Sequence, residues 1–144
     1  MKKIFKSNVQ TAFRLLIVIV FMFVFEMISF GKYVENRADS AAEAFGIIGI
    51  IAYALIFSVA LLACAVGKLV IGLSGRKAEE TKLKKWIIAS IVVRFITAII
   101  LVGIGIVFLC IYRGGYVGKC IYCLVALLES ILAVNEIRLL QKFN

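Results

Sequence analysis

With 144 residues, 64% of them hydrophobic, and a mean hydropathy of +1.10, the chain has too little polar sequence for a water-soluble domain. Its net charge of +9 would suggest nucleic acid in a soluble protein. Here the cations crowd at the ends of apolar runs, which instead indicates membrane topology and contact with anionic lipids, with no nucleic-acid partner.

Four apolar runs follow in chain order, at Ala12–Phe30, Ile47–Leu73, Trp86–Tyr112 and Cys120–Leu140. Each is close to or above the roughly 20 residues that a helix needs to cross a hydrocarbon core. None alternates with period two, so a β-barrel is excluded, and the absence of proline removes the commonest cause of helix kinks. The expected fold is all-α: one integral membrane domain over 1–144, a bundle of four transmembrane helices.

The first run follows a basic start and ends near Glu26, with no strong cleavage pattern behind it, so it reads as a retained span. Lys2, Lys3, Lys6 and Arg14 lie before or within its beginning. Arg76, Lys77, Lys82, Lys84 and Lys85 fill the second loop, and Arg138 and Lys142 the tail. The other side has only Lys32 and Arg37, then Arg113 and Lys119. By the positive-inside rule both termini are cytoplasmic, in a multi-pass protein of a plasma membrane. The small multidrug exporters share the size, the four spans and a first-helix glutamate. The strong charge bias here argues against their dual topology, and Glu26 lies near the outer end of its run.

In the first outer loop, Gly31–Gly46, Glu35, Asp39 and Glu43 recur at four-residue steps and would form an acidic stripe on a helix. Such a stripe is either a solvated face or a collector of cations at a pore mouth. The inner loop Gly75–Lys85 also reads as helical, with Glu80 and Lys84 four residues apart.

Four ionisable residues interrupt the later spans: Lys68, Arg94, Glu129 and Glu136. Each costs about 2.5–3.5 kcal/mol at mid-helix on insertion scales and needs a partner. At 1.5 Å rise per residue, Arg94 lies about 12 Å from Trp86 and Glu129 about 16 Å from Leu140, so these two can meet across antiparallel helices. Lys68 and Glu136 are shallower by the same measure. Three helical faces carry these charges with small residues: Cys64, Lys68, Gly72 and Gly75; Arg94, Ala98, Leu101 and Gly105; and Tyr122, Ala126, Glu129, Ala133 and Glu136. They are expected to converge as a structural ion-pair network, or as an ion or proton pathway with Glu129 as the exchanging carboxylate.

Cys120 and Cys123 form a CxxC at the outer end of the last run, with Cys110 near the outer end of the third and Cys64 deep in the second. This arrangement resembles vitamin K epoxide reductase-like enzymes, four-helix membrane oxidoreductases with a CxxC at the outer end of the last helix. The resemblance covers only these few residues. It implies that Cys120 and Cys123 are a redox pair facing a quinone. Gly31–Gly46 holds no cysteine, whereas those enzymes carry a second pair in their first outer loop.

No histidine is present, which rules out His-based metal sites and triads. No phosphate-binding glycine loop or hydrolase motif appears, so neither a cofactor nor a metal is expected. The function expected from these features is non-enzymatic: a small oligomeric pore or transporter, or a subunit bound to a membrane-complex partner. The alternative is a thiol–disulfide oxidoreductase using Cys120 and Cys123.

Overall fold

The computed structural model describes residues 2–35, 40–111 and 116–142, and the side chains of 3–31, 46–110 and 116–142. It is all-helical: α1 (Lys2–Glu35), α2 (Ser40–Lys77), α3 (Glu80–Ile111) and α4 (Tyr116–Lys142). All four are long and apolar enough to cross a membrane. The helices overrun the expected spans, and α1 begins at Lys2 rather than Ala12. A span is bounded by hydrocarbon, whereas a helix continues wherever a neighbouring helix still covers one of its faces.

Within the described residues, a short turn joins α2 to α3. Arg76 and Lys77 occupy the last turn of α2, and Glu80 the first turn of α3. Each charge faces the helix end that it stabilises. Between them Ala78 N donates to Gly75 O at 3.3 Å, and Lys82 N to Glu79 O at 2.9 Å, which starts the next helix. The segment read as a helical inner loop is therefore two helix ends and a two-residue break.

Neighbouring helices run antiparallel. Gly75 and Gly72, near the end of α2, face Phe5 and Val9 near the start of α1. At the other end of the bundle, Gly46 of α2 faces Phe30 of α1, and Gly118 of α4 faces Phe25. A side chain at Gly75 or Gly118 would occupy the space of a phenylalanine ring. Close approach at small residues is how helices associate in lipid, where burial of apolar surface drives little.

The outer surface is apolar: Ile17, Val59, Ile99 and Val117 are each about two-thirds or more exposed. A surface of this kind is untenable in water and matches hydrocarbon. The interior contains two apolar clusters. The larger includes Leu15, Met22, Leu61, Leu101, Ile104 and Tyr122; the smaller consists of Ile4, Phe5, Ile71 and Ile87. Between them lies a layer of polar and charged side chains.

Candidate functional site, a buried charge network

That layer draws on all four helices. In α1, the spacing of Ile4, Asn8, Thr11 and Leu15 keeps one face inward, and all four are buried. From α2 comes Lys68, from α3 Ser90 and Arg94, and from α4 Glu129 and Glu136. Lys68, Arg94 and Glu129 have no exposed surface, and Glu136 has 4%.

Their hydrogen bonds form one continuous chain. Lys68 Nζ donates to Glu129 Oε1 at 2.5 Å and to Thr11 Oγ1 at 3.3 Å. Arg94 Nη1 donates to Glu129 Oε2 at 3.0 Å, and its Nε donates to Glu136 Oε1 at 2.7 Å. The same guanidinium reaches α1, where Nη2 donates to Ser7 Oγ at 3.2 Å. Ser90 Oγ donates to Glu136 Oε2 at 2.7 Å and accepts from Asn8 Nδ2 at 2.8 Å. Thr11 in turn donates to the Ser7 and Asn8 carbonyls at 2.9 and 3.1 Å.

Two cations and two carboxylates leave the cluster with no net charge. Each carboxylate has a partner on both oxygens. Both conditions are needed, because removing an ion from water costs several kcal/mol and only close, well-aligned partners recover that. One acceptor stands apart: Asn8 Oδ1 is buried with no hydrogen-bond partner among the described residues. A polar atom left this way costs about 1–3 kcal/mol, so it is a ready acceptor for any entering donor.

The structure brings together all four intramembrane charges singled out from the sequence, with Arg94 beside Glu129. It also pairs Lys68 with Glu129 and Arg94 with Glu136, which helix depth alone does not indicate. Glu129 and Glu136 are separated by about 10 Å of helix rise. The branched guanidinium, set between their two side chains, closes that gap. Sequence reasoning missed Ser7, Asn8, Thr11 and Ser90. The first three precede the apolar run and look like part of a basic tail. Their signal was the helical spacing that continues the Leu15 face backwards.

The other candidates fare differently. Glu35 ends α1 and Glu43 lies in the first turns of α2, so they belong to different helices rather than to one stripe. Asp39 lies outside the described residues. Cys120 and Cys123 are exposed free thiols, as is Cys110, while Cys64 is buried and free. Cys123 borders a shallow apolar groove between α3 and α4 with Phe95, Ala98, Val102, Ala126 and Ser130. The two CxxC thiols therefore sit on the exposed outer surface of the bundle, away from the network. Among the described residues, no group of three or more histidine, cysteine, aspartate or glutamate side chains is placed to hold a metal.

Compared with known protein families, curated proteins and solved structures, the chain finds no match in any of the three.

Proposed function

We propose that this chain is a small transporter of the plasma membrane that carries protons through its charge network, with Glu129 as the exchanging carboxylate and both termini in the cytoplasm. The observation that carries this reading is the network itself, a neutral set of four charges sealed between two apolar clusters. Ionisable groups at membrane depth are costly, and they typically mark ion or proton routes. The Lys68–Glu129 contact lets one proton reside on either partner without changing the net charge of the cluster. Arg94 stays cationic throughout and holds both carboxylates in place. Asn8 Oδ1 adds a free acceptor beside this chain for an incoming donor. The apolar clusters on either side act as barriers, so protons pass only when one end of the bundle loosens.

The test is proton flux in liposomes containing the purified chain and a pH-sensitive dye. The parent should dissipate a pH gradient, and Glu129→Gln should fall to the level of protein-free vesicles. Arg138→Gln, which alters an exposed charge outside the network, should stay near the parent. Parent flux no greater than that of empty vesicles, or undiminished flux in Glu129→Gln, would sink the reading.

Orientation is tested separately. In a background without native cysteines, Ser74→Cys and Ser40→Cys should react with an impermeant maleimide from opposite sides of intact cells. Equal labelling of both from outside would overturn the cytoplasmic placement of the termini.

A further inference from the structure

The inward face of α4 is engaged along its length. The Tyr122 hydroxyl donates to Glu26 Oε1 of α1 at 3.0 Å, and Glu129 and Glu136 accept from the charge network. Both acidic residues of the helix are thereby taken up in the interior. Its outer face is different. Leu127, Leu128, Ile131 and Val134 are exposed and apolar, and they give way at helical spacing to exposed Asn135, Arg138 and Lys142. Ser130, Ile131, Val134, Asn135 and Arg138 line a shallow groove of about 330 Å³. Neither Asn135 nor Arg138 has a hydrogen bond or ion pair among the described side chains.

This groove sits where hydrocarbon gives way to the polar interface. At 1.5 Å rise per residue, Asn135 lies about 8 Å and Arg138 about 3 Å from Leu140, the end of the last apolar run. The Asn8–Ser90 and Ser90–Glu136 bonds, with Gly72 facing Val9, set the same level on the other helices. There α2 exposes Val70 and Leu73, and α3 exposes Ile88 and Val92. On α4 the same level carries a free amide and a free guanidinium. Hydrocarbon satisfies neither, so each needs a partner from outside the chain.

We propose that this groove binds one anionic phospholipid from the leaflet at the Lys142 end of the bundle. The fork of the Arg138 guanidinium takes the phosphate, with the Lys142 ammonium one turn further on. The Asn135 amide donates to the ester oxygens, and the acyl chain runs along Val134 and Ile131 towards Leu128. The stem of Arg138 lies on apolar surface while its charged head reaches the headgroup level. Apolar, then amide, then cation is the order of residues along this face, and it matches the order of groups along the lipid. A second copy of the chain fits less well. Two copies inserted the same way and joined symmetrically here would set Arg138 against Arg138 and Lys142 against Lys142. Glu129 and Glu136, being buried, could not offset that repulsion. The site lies outside the charge network and does not rest on the transport reading.

The experiment uses the full chain in phosphatidylcholine bilayers containing a minor share of phosphatidylglycerol. Trp86→Phe is combined with Leu128→Trp, so that fluorescence reports from the apolar part of the same face. Bromine on an acyl chain quenches this tryptophan only from a lipid close to it. Brominated phosphatidylglycerol should quench severalfold more strongly than an equal share of brominated phosphatidylcholine. Arg138→Gln should abolish the preference, Asn135→Leu should reduce it, and Arg138→Lys should keep part of it. Lys6→Gln removes an exposed cation at the same level on α1 and should change nothing. Inorganic phosphate at millimolar concentration should not displace the lipid, because it makes no use of the apolar floor. Equal quenching by the two lipids would overturn the site. Equal losses from Lys6→Gln and Arg138→Gln would reduce it to a diffuse attraction between cations and anionic lipid, and displacement by phosphate would remove the acyl chain from it. Asn135→Cys in a background without native cysteines should stay monomeric. A disulfide-linked pair that persists as the protein is diluted in lipid would give the face to a second copy instead. Proton flux is not part of any of these readouts, so the lipid site and the role of Glu129 can fail independently.

Discussion

Arg94→Leu is expected to be the most damaging single substitution in the charge network. It removes the one cation shared by both carboxylates, leaving Glu136 without a counter-charge and Glu129 with Lys68 alone. Stranding a buried charge costs about 3–5 kcal/mol, whereas removing a whole pair can be nearly neutral. The choice of second substitution is therefore decisive. Arg94→Leu with Glu136→Leu leaves the 2.5 Å Lys68–Glu129 pair intact and should recover most of the lost stability. Arg94→Leu with Glu129→Leu strands Lys68 on one side and Glu136 on the other, and should recover little. Thermal unfolding in detergent, followed by size-exclusion of the remaining folded protein, ranks the three variants. Equal recovery in the two double variants would mean that the connections through Lys68 and Glu136 carry no weight.

Matching helix depth in the sequence selects Arg94 and Glu129 alone, and would choose the second of those double variants. Depth locates backbone positions, but the partners of a charge depend on the reach of its side chain. Arg94 bridges carboxylates seven residues apart on α4 because a guanidinium offers donors along more than one direction. The four-helix architecture was legible because hydrocarbon imposes length and apolarity on every span. So were the inward faces, since Ala98 and Leu101 follow Arg94, and Ala126 and Ala133 flank Glu129, at helical spacing. The start of α1 was not legible, because Lys3, Lys6 and Gln10 read as tail although Asn8 and Thr11 on the opposite face are buried. Nor was the Glu26–Tyr122 bond, because a glutamate near the end of a run gives no sign of which helix will cover it.

The seat of α1 on α2 controls whether the network can assemble at all, and glycine substitutions measure this directly. A Cβ built at Gly72 would lie 2.6 Å from Val9 Cγ2 and 2.8 Å from the carbonyl oxygen of Phe5. The second contact is with backbone, so no rotamer change relieves it and α1 must shift as a unit. That shift would draw Ser7, Asn8 and Thr11 away from Arg94, Ser90 and Lys68, turning a packing error into broken hydrogen bonds to charged groups. Gly72→Ala should therefore cost about 3 kcal/mol, the upper end of the range typical of overpacking. Gly67→Ala, five residues earlier, is the control, since its nearest atom, Val93 Cγ2, is 4.0 Å from the added carbon. That change should be neutral or stabilise the helix by up to about 1 kcal/mol. Adding Val9→Ala to Gly72→Ala removes only the side-chain clash, so rescue should be partial. A Gly72→Ala protein that melts with the parent would show that α1 moves freely against α2, and the hydroxyls and amide of α1 would then have no fixed place in the charge network.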